Sequence, residues 1–213
     1  MRYQNRAAAG RILAAALKTV IKNSAVVLAI PRGGVVVGAE IADRYNLPLD
    51  LVIPRKVGVP ANPEVALGAV AQDGTLAVNR ELLAWLGLGG NELSALVREQ
   101  VAEIKRRMEL YRGRPDYPAY HGRQIILVDD GVATGYTVLA ALRFVRKQFA
   151  PPELILAVPV APKETAARLE QEVDRLVCPL IPDDFQAVGQ YYDNFNQTED
   201  WEVIRLLQKH RPE

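Results

Sequence analysis

Ile125-Ile126-Leu127-Val128-Asp129-Asp130-Gly131-Val132-Ala133-Thr134-Gly135-Tyr136-Thr137 sets four consecutive apolar residues before two carboxylates and a glycine-bearing loop. An unbroken apolar run of that length suits a strand covered on both faces, as in a parallel sheet flanked by helices. Gly131 and Gly135 tolerate backbone angles that other residues avoid, so the loop amides can turn inward, and Thr134 and Thr137 add hydroxyl donors. Val138, Leu139, Leu142, Val145 and Phe149 then recur at helical spacing, which predicts a helix from about Gly135 to Phe149. Its amino end offers unpaired N–H groups and a partial positive charge to a phosphate. Asp129 and Asp130 repel a phosphate; they suit a vicinal diol, as on a ribose, or a magnesium ion held through water. Asp-Asp-Gly after a strand also occurs in ordinary α/β turns and in phospho-acceptor receiver domains. No Gly-x-x-x-x-Gly-Lys-Ser/Thr element is present, so nothing reads as a nucleoside-triphosphate loop.

Working outward, the spacing predicts an amino-terminal helix over about Asn5–Lys22, a buried strand at Val26–Ile30, a helix at Val35–Tyr45 and a second strand at Leu49–Ile53. A Gly- and Pro-rich loop is expected from Val57 to Glu64. Val65–Ala71 and Leu76–Asn79 flank Asp73-Gly74, a hairpin-turn signal. A long helix over about Asn91–Tyr111 carries an apolar stripe of Leu93, Val97, Val101, Ile104, Met108 and Tyr111. Strands at Leu154–Val158 and Leu176–Cys178 alternate with a helix at Pro162–Glu172, and Trp201, Val203, Ile204 and Leu207 dock a final helix. The alternation implies an α/β fold with a parallel sheet flanked by helices, taking its ligands at the carboxyl ends of the strands.

The 213 residues, 49% hydrophobic, fit a single domain (1–213) with a sizeable core. Lys and Arg total 26 against 25 for Asp and Glu, so the net charge of +1 argues against nucleic-acid and membrane partners and leaves anion binding to local clusters. One such cluster is Arg106, Arg107, Arg112, Arg114 and Arg123. The single cysteine, Cys178, reads as a core filler, and without a signal peptide or long apolar run the expected location is the cytoplasm. His121 and His210 lack the context of acid–base groups, and no Cys/His spacing suggests zinc.

The strand, the acidic pair, three variable positions and Thr-Gly resemble the phosphoribosyl pyrophosphate (PRPP) loop of the type I phosphoribosyltransferases. The resemblance implies that Asp129 and Asp130 hold the ribose diol while Gly131, Val132, Ala133, Thr134, Gly135 and Thr137 cradle the 5′-phosphate. Arg32-Gly33-Gly34, two flexible amides beside a guanidinium, looks like the pyrophosphate loop of that family, which implies a non-proline cis peptide; the expected bond is Arg32–Gly33. Arg55-Lys56 resembles the pair that opens the catalytic loop of orotate phosphoribosyltransferases, implying a lid over Val57–Gly74 in which Glu64 is a candidate proton acceptor. Ile181-Pro182-Asp183-Asp184-Phe185-Gln186-Ala187-Val188-Gly189 and Asp193 are similar to the base-binding end of hypoxanthine-guanine enzymes. From that likeness Phe185 would stack on the base, Ala187 would read its edge, Lys163 would meet its exocyclic oxygen, and Asp193 would join Asp129 and Asp130 at magnesium. A hood from about 180–213, with the amino-terminal helix, is implied as well.

One position departs from this pattern: where 6-oxopurine enzymes carry an aspartate directly before the loop threonine, this chain has Ala133, as adenine and orotate enzymes have small residues. Over about residues 25–195, the three motifs together look most like a group of bacterial phosphoribosyltransferases with an unassigned acceptor. The expectation is therefore transfer from PRPP, with Mg2+, to a nitrogenous base with release of pyrophosphate, in a chain able to form a homo-oligomer. In that expectation Arg55, Lys56, Asp130 and Glu64 carry the chemistry. Two alternatives are a non-catalytic PRPP or nucleotide regulator with an RNA or protein partner, and a receiver-like phospho-acceptor.

Overall fold

The computed structural model describes residues 1–59 and 62–211, the side chains of residues 62–65 excepted. In chain order the elements are α1 (Arg6–Ala16), β1 (Val26–Ala29), α2 (Gly33–Tyr45), β2 (Leu49–Leu51), β3 (Arg55–Val59), β4 (Asn62–Val70), β5 (Leu76–Val78), α3 (Arg80–Leu86), α4 (Gly90–Arg112), β6 (Ile125–Val128), α5 (Tyr136–Phe149), β7 (Leu154–Ala157), α6 (Lys163–Glu170), β8 (Arg175–Val177) and α7 (Asp200–Lys209). Five strands form a parallel sheet in the order β2-β1-β6-β7-β8. Every residue of β1, β2, β6 and β7 is buried, as the unbroken apolar runs of β1, β6 and β7 require, and β2 buries Asp50 between two leucines.

The period of two along the strands sorts the core into two layers. Val27, Ala29, Ile126, Val128, Ile155 and Ala157 face a layer holding Leu13, Ile41, Ile104 and Leu207. Val26, Leu28, Ile125, Leu127, Leu154 and Leu156 face Val138, Leu142, Phe149 and Leu169. Each large aliphatic side chain so buried contributes on the order of 1.5–3 kcal/mol. Among the described residues no helix is long and apolar enough to cross a membrane.

Asn5 caps α1, its side-chain oxygen accepting from the Ala8 amide at 2.9 Å, so the helix starts one residue later than expected; it also ends earlier, at Ala16. The larger correction concerns the stretch after β2. Arg55–Val59 is a strand, antiparallel to Asn62–Val70, which pairs in turn with Leu76–Val78. The alternation of buried Val57 and Val59 around Gly58 is a strand pattern that the nearby glycines and prolines obscure, and the register shifts on either side of Gly58 mark a bulge. The hairpin at Asp73-Gly74 forms as expected, with Gly74 at φ 84° and the Ala71 amide donating to the Thr75 carbonyl at 2.9 Å. Helix α3 escapes sequence reading because it buries none of its residues fully. Trp201 does not dock: it is 62% exposed, because Val203 and Leu207 turn inward while Trp201 shares the outer face with Arg205, whose guanidinium lies 5.2 Å from its ring.

Of the basic cluster Arg106 and Arg114 are exposed, but most of its guanidinium groups are engaged. Arg112 is buried, its Nε and Nη2 donating to the two carboxylate oxygens of Asp50 at 2.6 and 2.8 Å, and its Nη1 donates to the carbonyls of Arg114 and Asp116 at 3.1 and 3.0 Å. Tyr120 donates to the same carboxylate at 2.7 Å. Arg106 and Arg107 both bond Glu103, whose carboxyl they pull down to about 2, and Arg123 donates to the Ser24 and Ala25 carbonyls. The Asp50–Arg112 fork ties the end of α4 to the edge strand β2. Arg112→Met should destabilise the protein by about 3–5 kcal/mol in denaturant unfolding, because it strands a buried carboxylate; near-native stability would show that β2 does not depend on the pair.

Candidate functional site

The winding of the sheet reverses between β1 and β6: the chain leaves β1 toward β2 on one side and leaves β6 toward β7 on the other. A crevice opens at such a switch point, outside the carboxyl ends of the strands. It is flanked by the turn after β1 and the loop after β6, and the two are in contact. A Cβ added at Gly33 would overlap Asp130 Oδ2, and one at Gly34 would lie 2.9 Å from both Asp129 Cα and the Val128 carbonyl oxygen. Only glycine permits that approach. A non-proline cis peptide is present, but at Pro31–Arg32, one bond before the expected Arg32–Gly33. Gly33 already begins α2 and Arg32 is its helical N-cap, so the reversal falls before Arg32.

At the acidic pair, Asp129 Oδ1 accepts from the Asp130 amide at 2.8 Å, and Asp130 Oδ2 accepts from Arg6 Nε at 2.6 Å. Tyr192 donates its hydroxyl to the Asp130 carbonyl at 2.6 Å. Burial, then the neighbouring Asp130 carboxylate, pushes Asp129 well above the usual carboxylate range. Burial also raises Asp130, against the pull of Arg6.

The loop that follows is fastened by its carbonyls. Ala133 O accepts from Thr165 Oγ1 at 2.8 Å, Thr134 O accepts from Arg168 Nη2, and the Val132 amide reaches the Val160 carbonyl at 2.9 Å. Gly135, at φ 78°, makes the turn into α5, where a side chain would be strained and would also meet Thr165. With the carbonyls bound by α6, the amides of Ala133 and Thr134 take no backbone partner among the described residues, and they adjoin the unpaired first turn of α5. Unpaired amides at a helix amino end can take an anion, and here they lie beside an acid pair.

The other expected residues divide. Arg32 stands at the crevice, its Nη1 3.4 Å from Asp200 Oδ1, an oxygen that also accepts from the Tyr111 hydroxyl at 2.6 Å. Gly33 and Gly34 present the first amides of α2. Arg55 turns toward α4, with Nε donating to Gln100 Oε1 at 2.8 Å and Nη1 3.7 Å from Glu103, while Lys56 is exposed. The Glu64 side chain lies outside the described residues. Phe185 stacks on Tyr191, centroids 5.6 Å apart and planes 20° from parallel. Ala187 engages Gln190 through both its amide and its carbonyl. Lys163 is exposed and lines a groove with Cys178 and Ile181. Asp193 pairs with Arg2 at 3.2 Å, and among the described residues no three His, Cys, Asp or Glu side chains converge as a metal site. His210 is bound to Asp43 and the Leu206 carbonyl, and burial lifts the Cys178 thiol to about 11.

Arg6, Tyr192 and Asp200 are the site residues that sequence reading misses. No motif marks them: Arg6 and Tyr192 meet because Tyr3 pairs with Tyr192, bringing the amino terminus beside residues 191–196, and Asp200 comes with α7, which packs on α2 and α4.

Asp129→Asn should raise the melting temperature at neutral pH. The raised carboxyl stabilises the folded chain only while protonated, so the wild type loses stability as pH climbs from about 4 through the raised value, and the variant's advantage grows over that window. Asp130→Asn should bring no such gain, since it removes the partner of Arg6. Equal melting curves for Asp129→Asn and the wild type from pH 4 to 8 would contradict the charge assignment.

A family model of the phosphoribosyl transferase domain matches residues 2–196. The chain is 40% identical over 207 residues to the Mycobacterium tuberculosis protein named "Putative phosphoribosyl transferase MT0597", covering 97% of this chain and 46% of that protein, so it spans about half the length of the curated relatives it matches. Among solved structures, TT1426 from Thermus thermophilus is 40% identical with a TM-score of 0.83, covering 99% of both chains. A hypothetical protein from Neisseria gonorrhoeae with bound ppGpp, 13% identical with a TM-score of 0.51 and 99% of each chain covered, shares the fold alone. The chain belongs to the type I phosphoribosyltransferase family.

Proposed function

We propose that this chain transfers the phosphoribosyl group of PRPP to a nitrogenous base and releases pyrophosphate. The observation that carries the reading is the amide cradle at the start of α5, set directly beside a buried acid pair. A sugar phosphate needs both: amides and a helix dipole for its 5′-phosphate, and carboxylate acceptors for its hydroxyls. Gly33 and Gly34, at the start of α2, place a second set of helix N-terminal amides on the other wall, with Arg32 beside them, where a diphosphate would lie.

In this reading the loop from Gly131 to Thr137 binds the 5′-phosphate, and Asp129 and Asp130 orient the ribose. The bond between C1 and the diphosphate oxygen breaks, and its electron pair leaves with pyrophosphate. A base nitrogen donates its lone pair to C1 and then loses its proton, with Glu64 as the candidate acceptor. Arg32 and the α2 amides stabilise the charge gathering on the leaving group. Arg55 serves this role only by leaving Gln100 and Glu103, whereas exposed Lys56 is free of that requirement. The base would rest against the Phe185–Tyr191 stack, whose parallel rings make a flat apolar platform.

Magnesium fits this donor set: a buried acid pair gains from a dication, and two carboxylates suffice when substrate oxygens and water complete the shell. Bound with PRPP it would supply charge neutralisation of the diphosphate, held on the protein side by Asp129 and Asp130.

Calorimetric titration with PRPP and Mg2+ tests the reading. Magnesium-dependent binding is expected, and Asp129→Asn with Asp130→Asn should weaken it about 100-fold, the worth of two charge-assisted hydrogen bonds. Unchanged affinity in the folded double variant would remove the diol contact. Binding without pyrophosphate release for any base would make the pocket that of a nucleotide-binding regulator.

A further inference from the structure

We propose that Arg6 is a positioning residue for the diol: by holding Asp130 Oδ2, it turns the second oxygen of that carboxylate, beside Asp129, toward two adjacent sugar hydroxyls. The inference rests on the PRPP reading above and adds to it a residue from the far amino terminus.

Arg6 is built into its place. Its side chain is 12% exposed, in the first turn of α1. Nε donates to Asp130 Oδ2 at 2.6 Å, Nη1 donates to the Asn196 carbonyl at 2.5 Å, and the guanidinium lies 3.9 Å from the centre of the Phe195 ring. Gly33 closes the remaining side, since a Cβ there would meet both Arg6 Nε and Asp130 Oδ2. A side chain held by two hydrogen bonds, a ring and a backbone has little freedom to swing away.

The consequence lies in which oxygens remain. Asp129 Oδ1 is held by the Asp130 amide, and Asp130 Oδ2 by Arg6. Asp129 Oδ2 and Asp130 Oδ1 accept from no amide, hydroxyl or guanidinium among the described residues, and the two carboxyl groups lie within hydrogen-bonding reach of each other. One acceptor is left on each carboxylate, and a vicinal diol has two hydroxyls to donate. Without Arg6, Asp130 Oδ2 would lose its donor and the carboxylate would be free to rotate away from the diol. Arg6 is the cation paired with either acid among the described residues. Because Phe195 and Asn196 hold it, the order of that segment is coupled to the sugar site.

The test compares ribose 5-phosphate with 2-deoxyribose 5-phosphate, titrated calorimetrically against the whole protein, with PRPP and Mg2+ alongside. The wild type should prefer the ribose form. Arg6→Met should cut that preference roughly tenfold, the order of one charge-assisted hydrogen bond, while leaving affinity for the deoxy sugar unchanged. Arg6→Lys, which keeps the charge but cannot bond Asp130 and Asn196 together, should fall between and decides the matter if Arg6→Met does not fold. An unaltered preference, or equal weakening of both sugars, would overturn the positioning role. Tighter ribose 5-phosphate binding by the variant would overturn it too, showing Arg6 to compete with the diol. A wild type that binds both sugars equally has no diol contact to position, which also overturns it. If it binds no sugar phosphate and no PRPP, the PRPP reading itself fails and takes the proposal with it.

Discussion

The structure turns on the close contact between the turn after β1 and the loop after β6. Two glycine positions lie against two aspartates at the ends of adjacent, wholly buried strands. Side chains at either glycine would push the loops apart, and the crevice would lose one wall. The contact also removes water from the carboxylates, and that desolvation raises their pKa values. The fold sets one constraint on the site: the backbones approach closely enough to desolvate the acids, while the amides of Ala133 and Thr134 take no backbone partner among the described residues.

Such a site is a local liability. Two like charges in a dry setting oppose folding, and the favourable terms lie elsewhere. Two apolar layers enclose the sheet, and a buried fork between Asp50 and Arg112 secures its edge. The acids themselves are relieved by one guanidinium, which comes from the opposite end of the chain. The division resembles that of other binding sites, where strain persists because a rigid scaffold surrounds it.

The cations follow a similar logic. With nearly equal numbers of acids and bases, the chain can hold a polyanion only by concentrating the right groups. Arg106, Arg107, Arg112 and Arg123 are engaged in structural pairs or carbonyl contacts, and Arg55 leans on α4. What faces the crevice is mainly backbone: the amino ends of α2 and α5, with Arg32 at the rim. Oriented amides carry no net charge to be repaid when the ligand is absent, and they select for phosphate by geometry.

Much of this was legible in the sequence, and the limits follow from the range of each signal. The apolar runs Val26–Ala29, Ile125–Val128 and Leu154–Ala157 determined the buried parallel strands, and the glycines and acids after them determined the crevice walls, because those signals are local in sequence. The antiparallel strand at Arg55–Val59 was hidden because glycine and proline read as loop when no partner strand is in view. Helix α3 was hidden because it buries no residue fully. Only the tertiary structure decided that Arg55 turns to Gln100, that Asp193 is taken by Arg2, and that Arg6 lies on Asp130 across 124 positions of chain. No periodicity or motif encodes such pairs. The first arises where β3 packs on α4, and the other two where the amino terminus pairs beside Tyr192 and brings one guanidinium to a buried acid pair.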